Sequence, residues 1–339
     1  MTIEELTAGT QRLGARPFRA RQIARWVWQR QAGSFAEMTD LPAPLRRLLA
    51  EQGYRLRTGR VVRRLDAADG TIKCLLELAD GEQIECVAIP APRRLTACVS
   101  TQVGCAMGCA FCATGLGGQR RNLSAGEIVE QVFHLQRAAG RRVSHVVFMG
   151  MGEPLANYRA TVAAVRALID PQRLGISGRH VTVSTVGLPK QIRRLAGEKL
   201  PITLAISLHA PNDVLRRRLI PAASRAGLAE IITAAEAFYH SRNREVTLEY
   251  VLLAGVNDTK LCAEALAGIT CRLRCSVNLI RYNPVPSLPF ERPSEEATEA
   301  FVARLRRRGV NVHVRRSRGL DVAGACGQLR RTAAPVSAR

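Results

Sequence analysis

Apolar and polar positions change rhythm along the chain. Residues 18–31 place Ile23, Trp26 and Val27 on one side of a helical wheel, with Arg19, Arg21 and Arg25 around them. That spacing predicts an amphipathic helix, and Asp40-Leu41-Pro42 predicts the start of another that runs to Leu49. Between residues 58 and 89 the period shortens to two. Ile72, Cys74, Leu76 and Leu78 fall on every second position before the turn pair Asp80-Gly81, which predicts a hairpin or small sheet. Glu85 lies in such an alternating strand, where a carboxylate faces solvent by default. From residue 97 onward apolar runs alternate with helical stretches. Strands are predicted at 97–102, 143–149, 180–185, 202–209, 246–253 and 276–282, and a late one at 310–314 follows a basic helix ending near Arg308. The clearest helix start is Ser124-Ala125-Gly126-Glu127, which has the form of a capping box.

Six βα units predict an α/β fold built on a parallel sheet, either an open barrel or a doubly wound sheet. In both, chemistry collects at the carboxyl ends of the strands. The expected organisation is a helical module over 1–56, a β-rich connector over 57–94, a large α/β domain over 95–330 and a short polar tail over 331–339.

Composition narrows the partner and the setting. Lys plus Arg number 50 against 28 Asp plus Glu, a net charge of +22 carried almost wholly by arginine. Such a field points to a polyanion such as nucleic acid, although an arginine-rich proteome gives the same excess. An aromatic content of 4% argues against a bare base-stacking platform. The chain opens without a basic and apolar leader and has no apolar run of about 18 residues, so no membrane is expected. A reducing, cytoplasmic setting follows, where ten cysteines are more often metal ligands or catalysts than bridges.

Cys105, Cys109 and Cys112 form a C-x3-C-x2-C loop directly after the first strand of the α/β region. Three thiolates cannot complete a tetrahedral zinc site without a fourth ligand, whereas a cubane iron-sulfur cluster held by three leaves one iron open. A zinc knuckle completed by Cys98 or a histidine is the alternative. Cys271 and Cys275 read as ordinary buried thiols. Gly152-Glu153 follows the second strand, where a glycine admits a ligand to the backbone and a carboxylate can accept from an ammonium. Ser184 ends the third strand, Ser207-Leu208-His209 the fourth, and Asn283 the sixth. Taken singly these are strand-end polar groups and a core histidine; together they share one rim.

The run of motifs is more specific than any one of them. Residues 98–104 (Cys-Val-Ser-Thr-Gln-Val-Gly), Arg121-Asn122-Leu123, Gly150-Met151-Gly152-Glu153-Pro154, Ser207-Leu208-His209-Ala210-Pro211-Asn212, Asn283-Pro284 and Ala325-Cys326-Gly327-Gln328-Leu329 occur in order. Over roughly 15–330 the chain resembles the RlmN and Cfr family of radical S-adenosylmethionine RNA adenine methyltransferases. The resemblance implies a partial (β/α)6 barrel. It also implies one 4Fe-4S cluster on Cys105, Cys109 and Cys112, and S-adenosylmethionine contacted by Gly152, Glu153, Ser184, Ser207, Leu208, His209 and Asn283.

By the same resemblance Cys326 is the cysteine that first takes a methyl group by displacement. A radical formed on a second S-adenosylmethionine then activates that methyl group to attack adenine. Cys98 resolves the RNA adduct through a transient disulfide with Cys326, and Glu85 accepts a proton. The implied substrates are an adenosine of 23S rRNA, methylated at C2 with C8 as the alternative, and the tRNA adenosine 3′ of the anticodon. The implied electron donor is an external, flavodoxin-type reductant. Candidate RNA contacts are Arg19, Arg21, Arg25, Arg93-Arg94, Arg141-Arg142, Arg216 to Arg218, Arg304 and Arg306 to Arg308. The reading from another class is a zinc-stabilised RNA-binding protein without enzymatic activity.

Overall fold

The computed structural model describes residues 3–222 and 226–330; the predicted polar tail lies outside them. Helices α1 (Ile3–Arg12), α2 (Phe18–Trp28) and α3 (Ala43–Glu51) enclose a small core of their own that includes Ile23, Trp26, Met38, Leu45 and Leu49. Helix α2 stops three residues before the predicted end because Gln31 takes a left-handed backbone angle, φ 55°. Asp40 ties the module together: the Trp26 indole donates to its Oδ1 at 2.5 Å and Arg25 pairs with its Oδ2 at 3.2 Å.

An antiparallel meander follows, made of β1 (Arg60–Asp66), β2 (Ile72–Glu77), β3 (Gln83–Ala91) and β4 (Arg94–Cys98). The predicted strand at 97–102 is divided. Strand β4 ends at Cys98, residues 99–101 bond across to Val147 and Met151, and Gln102 opens β5 (Gln102–Gly104), which pairs only with β6 (Gln119–Asn122). Helix α4 (Ala125–Ala139) starts on the predicted capping box, with both reciprocal bonds formed.

The remaining elements alternate: β7 (His145–Phe148), α5 (Tyr158–Ile169), β8 (Val181–Thr185), α6 (Pro189–Gly197), β9 (Thr203–Ser207), α7 (Asp213–Leu219), α8 (Leu228–Arg242), β10 (Val246–Leu252), α9 (Lys260–Thr270), β11 (Cys275–Arg281), α10 (Glu295–Arg307) and β12 (Val312–Arg315). Strands β4 and β7 to β12 lie side by side in chain order and all run parallel. An order that never reverses has no switch point, so right-handed crossovers put every helix on one face and the sheet curls. That settles the open choice in favour of the barrel-like form. The curl is visible in contacts: Arg315 on β12 reaches Glu249 on β10 at 3.2 Å and the Met149 sulfur, just past β7, at 3.7 Å.

Strand β3 departs from the expected half-exposed pattern, since Ile84, Glu85, Cys86 and Val87 are all buried. Helix α4 packs on β2 and β3, while the chain's last described segment bonds back to β2 and β3 through Lys73 and Glu85. Glu85 is therefore not solvent-facing. Glu130 on α4 fastens the joint after the helical module, accepting from the Thr58 N–H at 2.9 Å and from the Gly59 N–H at 2.9 Å. Burial raises its pKa, yet hydrogen bonds from His134, Gly59 and Thr58 outweigh burial and hold it below the ordinary value of 4.5.

A depressed carboxyl stabilises the fold fully above its unfolded pKa and loses that contribution as pH falls through the folded one. We expect Glu130→Gln to cost about 1–3 kcal/mol at pH 7, measured by urea denaturation. The gap should narrow below pH 4; a gap unchanged at pH 3 would rule out the charge as its source.

Candidate active site

The cysteine loop is closed at its base by the β5–β6 ribbon. Cys105 donates its N–H to the Gly118 carbonyl at 2.9 Å. Gly104 makes that closure possible: its φ is +77°, and a Cβ there would stand 1.9 Å from the Gly118 oxygen. The loop's far side is stitched to distant chain, with Ala110 N–H on Leu219, Ala113 N–H on Gly327 (2.8 Å) and the Thr114 hydroxyl on Leu329 (2.5 Å).

Burial pushes the Cys105 thiol up to about 12, and pushes Cys109 well above its ordinary value with help from Cys112, Cys105 and Glu153. Two thiols that burial keeps from ionising, gathered with Cys112 on one loop, suit a cationic iron-sulfur core, which offsets the charge of the thiolates that bind it. Among the described residues no three His, Cys, Asp or Glu side chains converge on one metal position. A cubane does not ask for that, because each thiolate takes its own iron.

One cavity is lined by these three cysteines together with Gly152, Glu153, Ser184, Ser207 and His209. Gly152 has φ +98°, and a Cβ there would meet Gln102 at 2.6 Å. Glu153 is 2% exposed. Its carboxylate accepts from Leu155 N–H at 2.9 Å and Val186 N–H at 2.8 Å, yet burial dominates and raises its pKa. The Ser184 and Ser207 hydroxyls are 3.1 Å apart. His209 is pushed down to about 3 by burial and then by Arg216, so the ring is neutral. Its Nδ1 accepts from the Val251 N–H at 3.0 Å, which leaves Nε2 as the donor.

Two expected cofactor residues are elsewhere. Leu208 is fully buried, its N–H on the Glu249 carbonyl, and it does not line the cavity. Asn283 lines a neighbouring cavity that Cys326 also lines: its amide donates to the Cys326 carbonyl at 3.0 Å and accepts from the Ser317 hydroxyl at 2.5 Å. It holds the cysteine-bearing loop in place.

Cys326 lines the cavity of the cysteine triplet and also this second one, which contains Cys98. Both sulfurs are free thiols, so the transient disulfide is not formed here. Burial, then the charge of Cys326, pushes Cys98 up to about 12. Glu85 lines neither cavity. It lies on the strand beside Cys98, paired to Lys73 at 2.9 Å, and its other oxygen accepts from the Arg330 N–H at 2.9 Å. Lys73 in turn donates to the Ala323 carbonyl at 3.3 Å, so the pair braces the Cys326 loop from both ends.

Sequence reasoning missed several charged groups. Arg216, expected on an RNA-facing surface, is 1% exposed. Its guanidinium donates to the Leu208 and Val186 carbonyls, and burial lowers its pKa against the opposing charge of Cys109. Arg315 is held strongly protonated, first by Cys326 and, against burial, by Glu249. Glu249 is fixed in turn by Asn278 at 3.0 Å. A glutamate inside the apolar strand Val246–Leu252 was a legible signal; the arginines were hidden by sheer number.

Comparison with known proteins decides the family. Residues 99–263 match the radical SAM superfamily and residues 1–54 match the N-terminal domain of ribosomal RNA large subunit methyltransferases. A probable dual-specificity RNA methyltransferase RlmN of Gloeobacter violaceus is 51% identical over 97% of this chain and 93% of its own. Its counterpart in Thermosynechococcus vestitus is 48% identical over 96% of each. A crystal structure of a radical SAM methyltransferase from Sphaerobacter thermophilus superposes with a TM-score of 0.93 at 46% identity, covering 97% of each chain.

The chain belongs to the RlmN family of radical SAM RNA methyltransferases. Membership implies an iron-sulfur cluster and S-adenosylmethionine, and it sets aside the non-enzymatic, zinc-stabilised reading. Among the described residues no helix of this RlmN-family enzyme is long and apolar enough to cross a membrane.

The two classes of thiol in the enzyme are separable. A thiol at about 12 is roughly one part in ten thousand ionised at pH 8. Iodoacetamide should therefore modify exposed Cys271 first and leave Cys98 and Cys86 intact until urea is added. Peptide mass spectrometry reads the order; Cys98 reacting as fast as Cys271 would contradict the burial assigned to it.

Proposed function

We propose that this enzyme methylates C2 of an adenosine in 23S rRNA and of the tRNA adenosine 3′ of the anticodon, in the cytoplasm, with electrons from a flavodoxin-type donor. The observation that carries the reading is the position of Cys326, on the wall shared by the cavity of the cysteine triplet and the cavity of Cys98. One thiol that carries a methyl group to RNA has to be reachable from both sides.

One 4Fe-4S cluster held by Cys105, Cys109 and Cys112 would supply the electron that cleaves S-adenosylmethionine to a carbon radical. The residues around it bind and orient. Glu153, buried and short of countercharge, accepts the ammonium of the methionine moiety, and binding relieves its desolvation. Gly152 admits that moiety to the backbone. Ser184, Ser207 and the Nε2–H of neutral His209 offer hydrogen bonds to the polar groups that follow.

Cys326 acts first as nucleophile: its thiolate attacks the methyl carbon of S-adenosylmethionine, S-adenosylhomocysteine leaves with the electrons of the broken sulfonium bond, and Arg315 lines the same two cavities. Asn283 holds the Cys326 backbone while the sulfur serves both cavities. Cys98 resolves the thioether-linked RNA by attack of its thiolate on the Cys326 sulfur: the S–S bond forms as the carbon–sulfur bond breaks, the carbon keeps the electron pair and takes up a proton to become the methyl group, and an external dithiol then reduces the disulfide. Glu85 is the candidate proton acceptor once released from Lys73 and Arg330; until then it braces the loop. The helical module over 1–56 serves RNA docking, with Arg21 and the +22 field behind it.

Expressed in cells, Cys98→Ala should accumulate protein covalently joined to RNA, and Cys326→Ala should give neither adduct nor methylated RNA. Sequencing the trapped RNA identifies the substrate. Absence of an adduct in the first variant would sink the mechanism. Digested RNA from anaerobic turnover should contain 2-methyladenosine; 8-methyladenosine alone would replace the C2 assignment by C8.

A further inference from the structure

The second cavity opens where the curled sheet fails to close. Its walls come from opposite ends of the strand order, β3, β4 and β7 on one side and β11 and β12 on the other. Cys98 and Cys326 stand on this seam. Its apolar surface includes Ile89, Pro90 and Val314, and Val314 is 43% exposed. Arg94, Arg316 and Arg318 line it and are exposed. Among the described residues Arg94 and Arg316 form no ion pair, and Arg318 approaches Asp69 only to 3.8 Å.

Apolar floor and cationic rim together match one kind of ligand: a flat, unpaired base between phosphates. A small apolar floor rimmed by arginines offers too little apolar surface for a folded protein partner, and a base held in a fully paired helix would have to leave its stack to reach it. The arginines are also linked to the reacting thiol. Ser317, between Arg316 and Arg318, bonds Asn283, and Asn283 bonds the Cys326 carbonyl. The rim is thus joined to the Cys326 backbone through two hydrogen bonds.

We propose that this seam is the entry site for an unpaired nucleotide of the RNA substrate, with its base against Ile89, Pro90 and Val314 and its flanking phosphates on Arg94, Arg316 and Arg318. The proposal rests on the reading that Cys326 carries the methyl group to RNA. It adds a division of faces: Cys326 is loaded from the triplet cavity and unloaded at the seam. It also explains why Cys98 lines the seam and not the triplet cavity, since the resolving thiol is needed only where RNA is attached.

The test uses the cluster-reconstituted enzyme and its Arg316→Gln/Arg318→Gln variant, with Arg316→Lys/Arg318→Lys for partial rescue. The probe is a labelled hairpin RNA with one unpaired loop adenosine, read by anisotropy without turnover. We expect the glutamine variant to bind about tenfold more weakly and to lose about two from the slope of log affinity against log salt. Methylation of Cys326 by S-adenosylmethionine alone, read by mass spectrometry, should match the parent.

RNA affinity and slope equal to the parent would overturn the seam as the entry site. So would a turnover defect seen with a protein electron donor but absent with dithionite, which would assign the rim to an acidic partner protein. A parent whose Cys326 takes no methyl group would defeat the proposed chemistry, while the binding comparison would still decide the seam.

Discussion

The hydrogen bonds that pin the segment after β12 across the open side of the sheet are the constraint on which the rest depends. Seven parallel strands in chain order curl without closing, so the barrel's first and last strands face each other over a gap. Asn283 to Cys326, Gly327 to Ala113, Leu329 to Thr114 and Arg330 to Glu85 span that gap in succession. Each bond ties a different strand end or loop to the same short stretch. The cluster loop, the sixth strand's end and the meander therefore agree on where the Cys326 sulfur stands.

The meander has its reason in this geometry. A carboxylate and an ammonium buried together, with side chains 7% and 9% exposed for Glu85 and Lys73, are no net gain over an apolar pair of the same volume. Their value is positional, because Lys73 reaches Ala323 and Glu85 reaches Arg330, on either side of Cys326. Removing one partner would leave the other charged, buried and unpaired, which is the expensive outcome. The same logic holds for Arg315 paired with Glu249, whereas Arg216 beneath the cysteine loop is held by the Leu208 and Val186 carbonyls.

Much of this was legible from residue pattern, and the failures share a cause. The parallel strands were found because burial on both faces writes apolar runs, and the capping box placed α4 by its own local bonds. The cysteine triplet, Gly152, Glu153, Ser184, Ser207 and His209 do line one cavity. Period-two alternation gives Glu85 a solvent-facing default because it reports one covering layer; β3 has two, so the carboxylate is buried. Asn283 and Leu208, placed with the ligand-facing residues by strand-end position, do not line that cavity, because strand-end position fixes height along the barrel and not which way the chain turns next. Arg216 and Arg315 were lost in a crowd of arginines, where composition argues for a surface and only tertiary burial separates two from the rest.

The two thiols that matter most are kept unlike by their surroundings. Cys98 is buried and held as the neutral thiol, while Cys326 sits in a loop with a protonated guanidinium on hand. The proposed displacement needs a thiolate at Cys326 and a Cys98 that stays unreactive until RNA is attached. Cys98 lines only the second cavity while Cys326 lines both, so in the proposed order of events Cys326 alone can meet S-adenosylmethionine on one side and RNA on the other.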